Sequence, residues 1–370
     1  MTRTRIIIGL DIGTTKIAAA VAKIGDEKAE LLAVTSVKYQ YKGMLKTRIA
    51  QAISEALLKS GLSYCTMPKN VALGFSDCSR EYTTGIIFVE FGRITQKHIC
   101  MAIAAAHNIR DIEHRAIVDS KVVAFEVDDQ TGIVDPLGMI AQTLIANTNI
   151  VTVNRNTLAV AAAACKQAKL KILRKTASSL ASAAAILTNE ERGQGVCLLD
   201  LGGRYTNMAV YCSGELDYFT SVSWGGNDLT GFIRARLGVS SCELSEAEKI
   251  KIAIADGSAD KTAEQTILVE KEVTAWMNNL CSILKKKQDS GSSQGLEIFR
   301  QKVSQGGIVL TGRTSNLPGL PELLVDEFGV SVRKGAIRAV QGMDSLSDEY
   351  ASAVGLVLRE INAAGVTKNI

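Results

Sequence analysis

Short apolar runs separated by glycine turns dominate the beginning of the chain. "RIIIGLDI" and "KIAAAVAKI" are two such runs around a glycine turn, which predicts a pair of strands. "ELLAVTSVKY" predicts a third strand, and "NVALGFS" predicts a buried fourth. Between these, "TRIAQAISEALLKSG" has apolar residues at helical spacing and stops at a glycine, which predicts a helix. The chain therefore begins as an α/β unit.

Residues 76–152 have a pattern of their own. "REYTTGIIFVEFGRITQKHICMAIAAAHN" predicts a strand, a turn and a helix. "IEHRAIVDSKVVAFEVDDQTGIVDPLGM" predicts a strand pair closed by a turn that contains Gly132 and Pro136. We expect this block to form a small α+β subdomain inserted into the first unit.

The second half of the chain repeats the order of the first. A helix and a strand are predicted in "RNTLAVAAAACKQAKLKILRK", and an Ala-rich helix leading to Gly195 in "SSLASAAAILTNEERGQG". Three strands then follow, beginning with "VCLLDLGG". The two aspartates that follow apolar runs, Asp11 and Asp200, lie about half the chain of 370 residues apart. This repetition predicts the internal duplication of one α/β unit.

The pattern changes again toward the end of the chain. Residues 285–295, "KKKQDSGSSQG", have the composition of a solvated connection. "GGIVLTGRTSNLPGLPELL" predicts a buried strand, a glycine turn and the start of a helix. "SDEYASAVGLVLREI" predicts an amphipathic helix with Ser347 or Asp348 as its N-cap.

Composition excludes several classes of protein. Apolar residues make up 46% of the chain and aromatic residues only 5%, so its cores should be aliphatic. The net charge of +4 does not indicate a nucleic-acid binder. The eight cysteines form no C-x-x-C pair and the three histidines have no zinc-like spacing to them, which argues against a metal site of these residues. Unpaired cysteines without a secretion signal fit a reducing cytoplasm, and no apolar stretch approaches the roughly 20 residues of a membrane span.

The stretch "LDIGTTK" has residue types that suit phosphate binding. Asp11 ends the strand, Gly13 allows a tight turn, and Thr14, Thr15 and Lys16 offer hydroxyls, amides and a cation. A carboxylate beside phosphate donors suits Mg²⁺, usually through water. An ordinary hairpin turn is the alternative interpretation of this stretch alone.

Three further stretches strengthen the phosphate-loop interpretation. "LLDLGGRYTNMAV" repeats the strand, aspartate and glycine turn of the first loop, and "SWGGNDLTGFI" and "GGIVLTGRTSNLPGL" place glycines where a ligand can approach the backbone. Glu248 and Lys251 are three residues apart on one helical face, which by itself favours a surface ion pair.

The chain contains an ordered set of motifs: "GLDIGTTK", "VDPLGM", "LDLGG", "WGGNDLT", "AEKIK", "GGIVLTG" and "YASAVGL". This set resembles the actin-like ATPase superfamily, and more closely the bacterial cell-division protein FtsA family. The resemblance covers nearly the whole chain. "DIGTTK" alone also occurs in sugar kinases, whereas "GIVDPLGM" inside an inserted block, followed by "LASAAAILTNEERGQGVCLLDLGG", is much more specific. The resemblance implies an α/β, actin-like, duplicated two-domain fold of ribonuclease H-like units with an FtsA-type inserted small α+β subdomain.

The resemblance also implies domain boundaries. The first domain is expected in residues 1–75 and 153–194, the inserted subdomain in 76–152, the second domain in 195–340 with a helical subdomain at about 228–300, and a C-terminal helix returning to the first domain in 341–370.

The cofactors that the resemblance implies are ATP and Mg²⁺. Asp11, Gly13, Thr14, Thr15 and Lys16 would form the first phosphate loop, and Asp200, Gly202, Gly203 and Thr206 the second, with Mg²⁺ held between Asp11 and Asp200, probably through water. The resemblance places Gly225, Gly226 and Asn227 near the phosphates. It places Glu248 and Lys251 at the ribose or base, and it places Gly306, Gly307, Gly312 and Arg313 around the adenosine.

The chain departs from the family in its second loop. Where the family usually has D-I-G-G-G-T-T-D, a glycine, a threonine and the closing carboxylate are replaced by Arg204, Tyr205 and Asn207. Ser178 and Ser179 stand where related ATPases often carry an acidic residue and a proline. General-base assistance typically contributes about 10²–10⁴-fold to a rate, so these changes predict slow ATP hydrolysis with binding retained.

The resemblance implies a filament-forming division protein at the inner face of the cell membrane. Such a protein links filaments of the tubulin-like protein FtsZ to the membrane and recruits later division proteins. On charge grounds alone, the acidic FtsZ tail is expected at Lys285, Lys286, Lys287 and Arg300, and a solvated face is the alternative. FtsA chains usually carry a C-terminal amphipathic helix that lies on the membrane. The last residues here, "REINAAGVTKNI", have no apolar face of this kind. We therefore expect either that such a tail was removed or that the protein reaches the membrane in another way.

Two other functions remain open. A pilus-assembly protein of the PilM type shares the fold, the inserted subdomain and ATP binding. A sugar or acid kinase would need a base for its acceptor hydroxyl, and no Asp or His is placed convincingly for that role.

Overall fold

Three sheets organise the protein. The computed structural model describes residues 5–25, 29–38, 45–61, 70–108, 114–238, 244–260, 264–288, 295–338 and 346–363. Within these residues, two five-stranded sheets have equivalent strand orders, and a four-stranded sheet comes from the inserted block. This arrangement confirms the duplicated α/β fold predicted from the sequence.

The first sheet has the order β3-β2-β1-β4-β9. β1 runs antiparallel to β2 and parallel to β4, because a glycine turn joins the first pair while helix α1 separates the second. α1 buries Ile49, Ile53 and Leu57. The bounds are β1 (Arg5–Ile12), β2 (Lys16–Ile24), β3 (Ala29–Lys38), α1 (Leu45–Lys59), β4 (Asn70–Phe75) and β9 (Lys171–Ala177).

The second sheet repeats this topology in the order β12-β11-β10-β13-β14. β10 runs antiparallel to β11 and parallel to β13, as β1 does to β2 and β4. Asp11 and Asp200 thus occupy equivalent places near the carboxyl ends of β1 and β10. The strands are β10 (Val196–Leu201), β11 (Thr206–Cys212), β12 (Glu215–Val222), β13 (Ile308–Thr311) and β14 (Val332–Lys334).

The inserted block forms its own sheet, in the order β5-β8-β6-β7, with helix α2 packed on one face. A Cβ at Gly85 would lie 2.1 Å from the Ala102 carbonyl oxygen, so the helix approaches the sheet closely there. The elements are β5 (Cys78–Arg93), α2 (Gln96–Ala106), β6 (Arg115–Val127), β7 (Gln130–Ile133) and β8 (Ile140–Asn154).

The turn predicted at Gly132 and Pro136 is wrong. β6 and β7 are joined at Asp128 and the residue after it, while Gly132 lies within β7 and Pro136 follows that strand. Asp128 takes a φ of 51°, and its carboxylate accepts hydrogen bonds from the amides of Gln142 and Thr143. An aspartate with these partners tolerates the left-handed conformation that a turn needs.

The predicted Ala-rich helix is divided into two helices, α4 (Ser178–Ile186) and α5 (Asn189–Gln194). Thr188 begins the second helix through a capping box. Its hydroxyl accepts from the Glu191 amide at 3.1 Å, and Glu191 accepts from the Thr188 amide at 2.8 Å. α4 is preceded by α3 (Arg155–Gln167) and is buried along its whole length.

Helices on the second sheet form a cluster around buried Trp276. The connection predicted at 285–295 is wrong for its first residues, because Lys285, Lys286 and Lys287 lie in the last turn of α8, where the helix dipole favours cations. Residues 289–294 lie outside the described residues. The helices are α6 (Gly226–Leu237), α7 (Leu244–Ala255), α8 (Glu264–Gln288), α9 (Gly295–Lys302) and α10 (Leu320–Phe328).

The last helix, α11 (Ala351–Ala363), packs against α4 and β1. A 3₁₀ turn (Asp348–Tyr350) precedes it with Ser347 as N-cap, one of the two predicted caps. A Cβ at Gly355 would lie 1.8 Å from the Ala181 carbonyl oxygen, so α11 and α4 cross closely. Within the described ranges, no helix is both long and apolar enough to cross a bilayer.

Candidate nucleotide site

A cleft between the two five-stranded sheets collects most of the predicted site residues. The carboxyl ends of β1 and β10 and the turns that follow them form its floor. The predicted residues that line it are Asp11, Gly13, Thr14, Thr15, Lys16, Asp200, Gly202, Gly203, Asn227, Glu248, Lys251, Gly312 and Arg313.

The two predicted phosphate loops contact each other across this cleft. The Arg204 amide donates to Thr14 Oγ1 at 3.2 Å. A Cβ at Gly203 would lie 2.4 Å from Thr15 Cγ2, so glycine is needed for this approach. The loops from the two halves of the duplication therefore form one polar surface.

Two carboxylates face this surface. The Ser178 hydroxyl donates to Asp11 Oδ1, and burial raises the pKa of Asp11 above its usual value. Burial, and then the charges of Asp11 and Asp348, raise the pKa of Asp200 to about 7. A divalent cation beside the two carboxylates would favour their ionised forms, and Mg²⁺ prefers such oxygen donors. Asp11 and Asp200 therefore fit the metal that the sequence implies.

Asn207 lies directly opposite Asp200 in the β10–β11 ladder. Opposed residues of an antiparallel pair project from the same face, so Asn207 points with Asp200 toward the cleft that both line. Asn207 is 3% exposed, and among the described residues its Oδ1 has no hydrogen-bond partner. An amide at this position accepts hydrogen bonds but cannot take a proton from water at neutral pH.

Glu248 and Lys251 are not the surface ion pair that their spacing alone favours. Lys251 is 8% exposed, and its Nζ donates to the Gly226 carbonyl at 3.0 Å, to Thr230 Oγ1 at 2.9 Å and to Glu248 Oε2 at 2.6 Å. Burial lowers the pKa of Lys251, and Glu248 opposes this change. Spacing on α7 could not reveal the burial, because α6 covers this face of the helix.

The start of α6 supports the second loop rather than opening toward a ligand. The Gly226 amide donates to the Gly202 carbonyl at 3.0 Å, and the Asn227 amide to the Gly203 carbonyl at 2.6 Å. Thr206 is fully buried and donates to the Trp224 carbonyl at 2.6 Å. Among the described residues, Gly225, Gly226 and Thr206 thus lie behind the cleft surface that Asn227 reaches.

Gly306 and Gly307, which are predicted around the adenosine, do not line the cleft. They precede β13, whereas the cleft lies at its other end, beyond Thr311. Three steps of a strand at about 3.3 Å per residue separate the two ends by roughly 10 Å. Gly307 has a φ of 63° and packs against Ser331 instead. Gly312, on the correct end, has a φ of 85° and lines the cleft beside Arg313.

The sequence analysis did not predict a group of cleft residues that lie near the end of the chain. Asp348, Glu349 and Ser352 line the same cleft. Lys16 Nζ donates to Glu349 Oε2 at 2.9 Å. The sequence signal for this group is the pair Asp348 and Glu349 at the start of the last predicted helix, but acidic residues at that place also fit a helix cap alone.

The candidate partner residues do not line this cleft. Lys285 forms an ion pair with Glu327, and Arg300 donates to the Phe328 carbonyl at 2.7 Å. Both therefore support the end of α10, whereas Lys286 and Lys287 are exposed.

Comparisons with known proteins agree on one family. A family model described as "Cell division protein FtsA" matches residues 197–355, and one described as "SHS2 domain inserted in FTSA" matches residues 76–152. The chain is 28% identical to the cell division protein FtsA of Neisseria meningitidis serogroup B, covering 95% of this chain and 89% of the relative. It is 25% identical to FtsA of Escherichia coli, covering 96% and 90%.

Solved structures of similar fold include the PilM–PilN type IV pilus biogenesis complex, with a TM-score of 0.69, 18% identity and coverage of 96% of this chain and 98% of that one. MreB5 of Spiroplasma citri bound to AMPPNP gives a TM-score of 0.54 at 13% identity, covering 98% and 99%. These two likenesses concern the actin-like fold alone. The two family models together match more than half of the 370 residues, and the chain belongs to the cell-division protein FtsA family.

Proposed function

We propose that this chain is an ATP-binding, filament-forming division protein that links FtsZ filaments to the cytoplasmic membrane and recruits later division proteins, with slow or no ATP hydrolysis. The single observation that carries the nucleotide part is the meeting of two phosphate loops around Asp11 and Asp200. The family supports the division part.

Each part of the cleft has its own task in nucleotide binding. Thr14, Thr15 and the turn at Gly202 offer hydroxyls and amides to phosphates, and Lys16 offers a cation. Asp11 and Asp200 would hold Mg²⁺, which screens the phosphate charge when bound. Lys251 and Glu248 line the same cleft, and the charge of Arg313 acts on Lys251; the ribose and base are expected at these residues.

Slow hydrolysis follows from what replaces the family's carboxylates. Ser178 uses its hydroxyl on Asp11, and Asn207 offers an amide where an acceptor of water's proton is needed. Neither group acts as a general base near neutral pH.

Titration calorimetry with Mg²⁺ and ATP tests the binding, and a phosphate-release assay tests the turnover. We expect a saturable heat that disappears in Asp200→Ala, with thermal unfolding used to show that the variant folds. The absence of ATP binding by the wild type would overturn the nucleotide part. A turnover within the usual enzyme range of about 1–10³ per second would overturn slow hydrolysis.

Partner binding needs variants that leave the fold alone. Lys285 and Arg300 support α10, so we choose the exposed Lys286. We expect Lys286→Glu to weaken capture of an acidic FtsZ tail peptide, whereas Lys249→Glu, an exposed charge on α7, leaves it unchanged. Capture of the N-terminal peptide of a pilus partner, with none of the FtsZ tail, would instead favour a PilM-like role.

Filament formation and membrane attachment require a lipid surface. Electron microscopy on a lipid monolayer with ATP, with and without an added amphipathic tail, tests both. We expect ATP-dependent filaments on the monolayer when the tail is present. Particles that remain dispersed under all conditions would contradict the filament part.

A further inference from the structure

The cation of the first phosphate loop is already held by a carboxylate of the protein itself. Lys16 Nζ donates to the backbone carbonyl of Glu349 and to its Oε2, both at 2.9 Å. The two side chains are 22% and 27% exposed, and the ammonium lies 5.7 Å from the centre of the Tyr350 ring. Burial raises the pKa of Glu349, but the hydrogen bond and charge of Lys16 hold it below its usual value, so Glu349 is ionised at neutral pH.

The turn that carries Glu349 contacts the phosphate end of the cleft at further points. Asp348 lines the cleft, and its charge acts on Asp200. Ser352, in the first turn of α11, hydrogen-bonds Asp11 and lies 2.8 Å from Ser182 Oγ. A phosphate that approaches Lys16 therefore meets two carboxylates of the 3₁₀ turn beside it.

Lys251, a buried cation of the cleft, has its donors engaged by Gly226, Thr230 and Glu248 on the second domain. Lys16 belongs to the phosphate loop itself, and a phosphate group carries more charge than one carboxylate. If Lys16 turned to the phosphate, Glu349 would be left ionised and close to another anion. Like charges at such a distance repel strongly in a cleft of low dielectric.

We propose that Glu349 is an internal competitor for Lys16, and that nucleotide phosphate displaces it and releases the turn Asp348–Tyr350. This inference rests on the proposed binding of ATP. The released turn leads directly into α11, which crosses α4 closely at Gly355 and Ala181. The conformation at the start of α11 therefore depends on whether a phosphate occupies the cleft beside Lys16.

Calorimetry on a conservative variant and a matched control tests the competition. We expect Glu349→Gln to bind Mg²⁺–ATP about two- to fivefold more tightly than the wild type, the size expected for the loss of a partly exposed ion pair. Glu360→Gln removes a carboxylate of α11, the helix that follows the turn; Glu360 pairs with Arg174 and does not line the cleft, so this variant should leave the affinity unchanged. Glu349→Asp, which keeps the charge on a shorter side chain, serves if Glu349→Gln fails to fold.

Hydrogen exchange gives a second readout. In the wild type, amides of residues 348–352 should exchange faster after Mg²⁺–ATP is added, whereas in Glu349→Gln they should exchange fast already without nucleotide. ATP binding that is equal or weaker in Glu349→Gln, or exchange that slows in the wild type, would overturn the competition and leave the proposed function standing. If neither protein binds ATP, the proposed function fails and this inference fails with it.

Discussion

The backbone amide of Arg204 donates a hydrogen bond to Thr14 Oγ1 at 3.2 Å and so joins the two phosphate loops across the cleft. Arg204 replaces a glycine of the family's loop, yet the contact uses only its backbone. Its guanidinium lies 5.5 Å from the centre of the Tyr205 ring instead of filling the turn. The substitution therefore changes the side chains around the loop and keeps the backbone contact between the two loops.

Closeness of the two loops predicts the effect of a single methyl group. In Gly203→Ala, the new Cβ would lie 2.4 Å from Thr15 Cγ2 and 3.0 Å from Thr14 Oγ1, so the threonine side chains must turn away or the loops must separate. Overpacking typically costs about 1–3 kcal/mol, and we expect ATP affinity measured by calorimetry to fall about tenfold or more. Gly231→Ala in α6 has no atom within 4 Å of its new Cβ and should leave affinity unchanged. Equal affinity of Gly203→Ala and the wild type would contradict the contact.

The pKa of Asp200 predicts how stability depends on pH when no metal is present. Folding raises this pKa to about 7 from 3.8, so between these values the folded state binds more protons than the unfolded state. The free energy of unfolding should therefore fall as the pH rises from about 4 to 7 and level off above, with each full pKa unit worth about 1.4 kcal/mol.

Urea titrations in EDTA across this range measure the slope. Asp200→Asn cannot ionise, so we expect it to lose the part of the slope that Asp200 contributes and to be the more stable protein at pH 8 without metal. Asp11, whose pKa burial also raises, keeps part of the slope in both proteins. The same variant should bind Mg²⁺–ATP more weakly. A wild type and variant with parallel pH profiles would show that Asp200 is ionised throughout.

Burial of Lys251 predicts a structural as well as a binding defect. Lys251→Ala removes the donor to the Gly226 carbonyl and to Thr230 Oγ1, and a buried group left without its partner costs about 1–3 kcal/mol. We expect lower stability in urea together with weaker ATP binding. Lys249→Ala, an exposed residue on the same helix, should stay within about 0.5 kcal/mol of the wild type. Identical behaviour of the two variants would return Lys251 to a surface role.

The position of Gly307 predicts a loss of stability without a loss of ATP binding. At a φ of 63°, Gly307→Ala would place its Cβ 2.2 Å from the Ser331 carbonyl oxygen. We expect a loss of stability of more than about 1 kcal/mol, seen as a lower thermal midpoint. Because the residue lies at the end of β13 away from the cleft, the ATP affinity of the folded protein should not change. A selective loss of ATP binding would instead support the adenosine role that the family assigns.

Much of the fold was predictable from local pattern. The strands around Asp11 and Asp200 and the helices α1 and α3 follow from apolar spacing and glycine stops, which depend only on residues near in sequence. The errors fell where a local alternative existed. A capping threonine divided an Ala-rich helix at Thr188, and an aspartate rather than a glycine made the turn at Asp128.

By itself, the sequence determined the duplication and the family, and it predicted the two phosphate loops, because each depends on residues in short contiguous segments. Only the tertiary structure decided which of those residues share the cleft. The direction of β13 places Gly306 and Gly307 at the end of that strand away from the cleft, and the packing of α6 on α7 buries Lys251. Folding also brought Glu349 from the far end of the chain to Lys16. Such contacts depend on how α11 packs against β1 and α4, and no local pattern around either residue encodes that.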